Sequence, residues 1–158
     1  MNDSDVIYVG FWIRFLAFLI DSIIATIAIT PLVSTLIGET LVTNYDLQDN
    51  AQMMQFLSDW SLQLGLELLF MATIFILFWT IKSATPGKML FGAYIVDAKT
   101  LGKASPKQNV IRYLGYYVSM IPLFLGFLWI ALDKRKQGWH DKFAGTLVIK
   151  GKPREPHD

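Results

Sequence analysis

Asp21, Arg14, Arg112, Asp141 and Glu67 are the residues whose types and positions could do chemistry in this chain. Asp21 interrupts an apolar run, where an ionisable side chain costs about 2.5 kcal/mol or more on insertion scales unless it is partnered or hydrated. Arg14 lies one heptad earlier, which on a helix puts both residues on nearly the same face, about 10.5 Å apart along the axis. A snorkelling arginine and an intervening water would shorten that gap. One reading makes Asp21 a binding carboxylate for a small cation or proton, with Arg14 and Arg112 as its charge partners. The other makes it a polar pin that holds the first apolar run to the third. Arg112 opens the third run, where its forked donors suit either Asp21 or lipid phosphates.

Glu67 stands near the start of the second apolar run, about 7.5 Å from its end, and is expected to reach water at the interface. Asp21 lies roughly 12 Å from the opposite boundary, so the two carboxyls would be staggered in depth. His140 and Asp141 are adjacent in GWHDKFAGT. The other histidine, His157, is in the tail, so a metal site is not expected, and Asp141 is read as a helix cap or as a tie to a cytoplasmic arginine. No nucleophile elbow, phosphate loop, zinc signature or dinucleotide fingerprint is present. Neither an enzyme nor a cofactor is expected.

The elements that must position these groups are lipid-facing. Of the 158 residues, 53% are hydrophobic and only 17% charged, against about 25% charged in soluble domains. The mean hydropathy is +0.40. There is no cysteine, which removes disulfides and thiolate metal sites. A first span is expected over about residues 13–37 and a second over 62–81, each long enough to cross a hydrocarbon core of about 30 Å. A signal peptide is the rival for the first run, but Asp3 and Asp5 precede it and it exceeds an h-region of roughly 7–15 residues. Trp60 and Trp79 are placed near the ends of the second run, as interface anchors would be.

Charge sets the orientation. Residues 38–61 carry Glu39, Asp46, Asp49 and Asp59 and no basic residue, whereas 82–112 carry six basic residues against Asp97. The positive-inside rule puts the amino terminus and the basic loop in the cytoplasm and residues 38–61 outside. The third apolar segment, 110–132, has basic residues on both sides and Pro122 in its middle, with Gly115 and Gly126 flanking it. A re-entrant or broken helical hairpin is therefore favoured, with a single span as the alternative. SATPGKML reads as the start of a short surface helix. AYIVDA (93–98) and TLVIK (146–150) read as strands that can pair in the cytoplasm as a small hairpin-like sheet. Residues 151–158 read as a flexible tail.

The expected fold class is thus all-α transmembrane with a small sheet, forming a single membrane domain over 1–158 with a core of about 10–150. With so few helices to surround buried charge, a homo-oligomer is expected. The expected partners are the lipid bilayer, further copies of the chain and a small cation or proton, and not nucleic acid. A multi-pass place in the cytoplasmic membrane follows.

RFLAFLID with Arg14 and Asp21, TPGKMLFGAYIVDAKTLG, Arg112 before an apolar stretch, and HDKFAGTLVI occur in that order. The chain resembles in this the RDD family of bacterial membrane proteins over about residues 10–150. The resemblance implies Asp141 as the family's second aspartate, with Asp97 as the other candidate. It also implies transport of a small ion or solute, cation/proton exchange among the proposals. The rival reading from the residues is a non-transporting adaptor whose basic cytoplasmic face, Lys99 to Lys107, binds anionic lipid or a partner protein.

Overall fold

The structure is a computed structural model that describes residues 6–37 and 45–154. Among the described residues, two helices are long and apolar enough to cross a membrane, or three if a bent pair is one span. The first is α1 (Phe11–Ile37), which continues through Pro31. The second is α2 (Asn50–Lys82), which begins about three turns before the expected 62–81. Asp49 explains that start: its Oδ1 accepts from Ala51 N at 2.9 Å, the bond of an N-cap carboxylate. Part of the stretch expected as an acidic loop is therefore helix, and Glu39 lies outside the described residues.

The chain separates into two compact units, Met1–Asp21 with Phe75–Asp158, and Ser22–Ile74. In the second unit Ala25, Ile29 and Val33 form a buried stripe at helical spacing, packed by Leu66, Phe70, Met71 and Ile74.

The first unit holds the remaining elements. These are α3 (Pro86–Leu90), β1 (Ala93–Asp97), α4 (Pro106–Met120), α5 (Leu125–Leu132), α6 (Trp139–Ala144) and β2 (Thr146–Lys150). Strands β1 and β2 pair antiparallel with Ile95 opposite Val148, at the positions read from the sequence. The sequence reading missed a third contributor: Val9 N donates to Val148 O, and Lys150 N to Ile7 O, both at 2.9 Å. Within the stretch read as a tail, Arg154 N donates to Leu101 O at 2.9 Å, and residues 155–158 lie outside the described residues. The sheet packs Val9, Ile95 and Val148 against Trp79.

Trp79 is 1% exposed and is not the interface anchor its position suggested. It is enclosed by Phe75, Tyr113 and Tyr116. Helix α4 begins with a complete capping box, Ser105 with Gln108, and Pro106 at its first turn. It ends at a break over residues 121–124, beyond which α5 departs at 102°. Pro122 removes one donor there, and Leu123 and Phe124 take left-handed backbone with φ of 50° and 61°. Gly126 lets the two arms of this bend close, since a Cβ there would lie 2.6 Å from Cα and Cβ of Ser119.

Candidate functional site

Helix α1 delivers Arg14 and Asp21 into the first unit, and the two side chains go to different partners. Arg14 Nη1 meets Asp141 Oδ2 at 2.6 Å, its Nε donates to Val9 O at 2.8 Å and its Nη2 to Lys136 O at 2.6 Å. Arg112 Nη1 bonds the other oxygen, Asp141 Oδ1, and also Thr146 Oγ1 at 2.9 Å. Asp141 Oδ2 accepts from Gly138 N at 3.0 Å, which caps the first turn of α6. Both expectations for Asp141, helix cap and arginine tie, are therefore found in one carboxylate. Neither arginine pairs with Asp21, and Arg112, at 1% exposed, is withdrawn from any lipid phosphate. The reason is that Asp141 is fully buried between them, where it needs compensation from more than one side.

This cluster binds α1, α4, α6 and β2 together. Burial alone would raise the pKa of Asp141, but Arg112 and Arg14 outweigh it and hold the carboxyl well below the usual carboxylate range. His140 beside it is shifted by burial, reinforced by Arg112, Arg14 and Lys88 and opposed by Asp141, down to about 3. It is a neutral imidazole at neutral pH, packed against the rings of Tyr116 and Phe127, with its Nδ1 3.3 Å from Ser119 Oγ.

Asp21 is 4% exposed and accepts only neutral donors. Thr85 Oγ1 donates to its Oδ2 at 2.5 Å, and Gly87 N donates to its Oδ1 at 2.7 Å. Among the described residues it is in no ion pair. This arrangement also serves the first turn of α3. Thr85 occupies the N-cap position but makes no capping bond; its hydroxyl donates to Asp21 and accepts from Lys88, and the Asp21 carboxylate reaches the orphan N–H of Gly87 instead. Nor is α3 a surface helix, since Ala84, Thr85, Gly87 and Lys88 are buried. Gly87 is required by the approach: any Cβ there would strike the carbonyl of Ala17 and stand 3.0 Å from the Asp21 carboxylate.

Lys88 is the residue that sequence reading passed over. The residue is 7% exposed, and its ammonium donates to Thr85 Oγ1 at 3.3 Å and lies 5.9 Å from the Trp79 ring centre. Its place next to Thr-Pro-Gly in an otherwise apolar stretch was the available signal. Glu67 belongs to the other unit, half-buried and accepting from Gln63 Nε2 at 3.2 Å. Asp97 anchors the turn after β1, accepting from the backbone of Lys99 and Thr100 and from Gln108 Nε2.

The arrangement thus offers one carboxylate fixed by two guanidiniums and a second carboxylate held by neutral donors. The model of the RDD family matches residues 8–145. An uncharacterized protein of Rickettsia prowazekii is 40% identical over 84 residues, 53% of this chain and 46% of that protein, so less than half of the relative is matched. The uncharacterized protein YxaI of Bacillus subtilis is 30% identical over 89% of this chain and 95% of its own length. The uncharacterized membrane protein YteJ of the same organism is 32% identical over 90% of this chain and 80% of its own length. No solved structure matches the chain.

Proposed function

Because the chain belongs to the RDD family of membrane proteins, we propose that it binds a small cation or proton at Asp21 and passes it across the cytoplasmic membrane. The observation that carries this is the state of Asp21, a buried carboxylate on a helix of spanning length whose partners are a hydroxyl and an amide. A carboxylate in such a place is a site for positive charge by default, and its neutral donors leave its charge free to be met by a ligand. The two arginines once paired with it in expectation do not compete for it, since Asp141 holds both.

In this reading the amino terminus and the basic sheet face the cytoplasm and the bent α4–α5 pair re-enters the membrane from that side, as the basic flanks of both arms favour. Two spans with a hairpin enclose little, so the working form is an oligomer. The test is flux of sodium, potassium or protons in vesicles holding the purified protein. Flux that disappears in Asp21→Asn, in a variant that remains folded, supports the reading. Flux that Asp21→Asn leaves unchanged removes Asp21 from it.

One observation favours a second reading, that the basic face captures an anionic lipid or partner. Tyr8, Lys99 and Arg135 line a cleft of about 320 Å³ floored by Val6, Ala98 and Leu101, and Lys103 and Lys107 are exposed nearby in sequence. Charge reversal at Lys99 and Lys103 would then abolish capture by anionic vesicles, while Asp21→Asn would leave it intact.

A further inference from the structure

Lys88 is an anomaly of charge. An ammonium withdrawn from water is stable only with compensation close by, yet among the described residues Lys88 has no carboxylate within ion-pair distance. The charged groups of its surroundings are Asp21 and Arg14 from α1, Arg112 from α4 and Asp141 from α6, with His140 neutral beside them. Asp141 is already shared by Arg14 and Arg112. Asp21 is the carboxylate that remains to balance Lys88, and a continuous hydrogen-bonded path joins the two. Lys88 Nζ donates to Thr85 Oγ1 at 3.3 Å, and Thr85 Oγ1 donates to Asp21 Oδ2 at 2.5 Å. A hydroxyl has one proton to give, so the polarity of this path runs from ammonium to carboxylate.

We propose that Lys88 is the fixed counter-charge of Asp21 and sets the specificity of that site, admitting singly charged cations with modest affinity and excluding divalent ones. The inference rests on the reading of Asp21 as the cation-binding carboxylate. Among the described residues the first unit buries three cations, Arg14, Arg112 and Lys88, against two carboxylates, Asp21 and Asp141. A monovalent ion entering at Asp21 meets a carboxylate already half-satisfied through Thr85. A divalent ion meets the same carboxylate with twice the repulsion from Lys88 and none of the extra carboxylates that hard divalent ions require. Removing the lysine charge takes this set from a net +1 to neutral and leaves Asp21 without its counter-charge, so affinity for any cation should rise and the barrier to divalent ions should fall.

The experiment uses the full chain in detergent, with radioactive sodium ion in equilibrium dialysis and manganese(II) followed by loss of its free-ion magnetic resonance signal. Wild type should bind sodium weakly and leave manganese free. Lys88→Gln should bind sodium about tenfold more tightly or better, the effect of one like charge removed at a few ångströms, and should take up manganese. Lys88→Arg, which keeps the charge, should behave as wild type, an outcome that a packing role for the stem alone would not give. Adding Asp21→Asn to Lys88→Gln should abolish both gains. If Lys88→Gln is not monodisperse, Lys88→Met keeps the apolar stem and carries the same expectations. Sodium affinity within twofold of wild type in Lys88→Gln, still dependent on Asp21, overturns the inference and leaves the Asp21 reading standing. Sodium binding that Asp21→Asn leaves unaltered overturns that reading, and the inference with it.

Discussion

Asp141→Asn is the substitution whose consequence follows most directly from the geometry. The side chain keeps its shape and one acceptor for the Gly138 amide, but it loses the charge that meets Arg14 at 2.6 Å and Arg112 on its other oxygen. Two guanidiniums with 7% and 1% exposure would then share a buried space with no anion. Removing one partner of a buried pair costs about 3–5 kcal/mol, because the charge left behind is uncompensated. Against a total stability of about 5–15 kcal/mol, that is a large fraction. Apparent unfolding temperature of the purified protein in detergent should fall by about 6–20 °C. Asp133→Asn is the control: its pair with Lys142, also 2.6 Å long, is partly exposed, and the change should stay within about 1 kcal/mol. Arg14→Met added to Asp141→Asn should recover part of the loss by removing one orphaned charge. Equal unfolding temperatures for Asp141→Asn and Asp133→Asn would refute the reasoning, and so would a second substitution that only adds to the first.

Gly87→Ala should cost about 1–3 kcal/mol, the range for overpacking, because its Cβ meets the Ala17 carbonyl and the Asp21 carboxylate. Gly65→Ala, where nothing lies within 4 Å, is the matched control in the same thermal assay. His140 gives a pH dependence. Its value is depressed from 6.5 to about 3 in the folded chain, so protons favour the unfolded state. Its contribution is full above about pH 6.5 and is lost as pH falls toward 3. The unfolding temperature should decline over that window in wild type and decline less in His140→Gln. Cysteines placed singly at Lys103 and Lys150 should be labelled from the same side of sealed vesicles. Lys103 bridges to Val96 and Lys150 pairs with Ala93, so both belong to one sheet. Labelling from opposite sides would contradict the fold.

The helices of spanning length and both strands were legible in the sequence for physical reasons that are local. Length and apolarity set a span, and short β-branched runs beside turn residues set a strand. The start of α2 was not legible from hydropathy, because a helix capped by Asp49 needs no lipid to form. The site was half legible. The cost of charge in an apolar run pointed to Arg14, Asp21 and Arg112, but their seven-residue and wider spacings said nothing about Asp141, which lies 127 positions from Arg14. Helical spacing shows which groups share a face, and only the packing of α6 beside α1 shows which of them meet. Trp79 misled for a related reason: an aromatic at the end of a run is an anchor only if no neighbour covers it, and Arg112, Tyr113 and Tyr116 do.

The proposed division of labour between the two aspartates is the centre of this account: Asp141 ties α1, α4 and α6 together, and Asp21 is proposed to meet the cation. Infrared difference spectra of the carboxylate stretching bands, recorded as sodium is added to the protein, test it most directly. One carboxylate should shift in wild type, and that shift should be missing from folded Asp21→Asn protein. A shift of unchanged position and amplitude in Asp21→Asn would assign the responding carboxylate elsewhere and contradict the account.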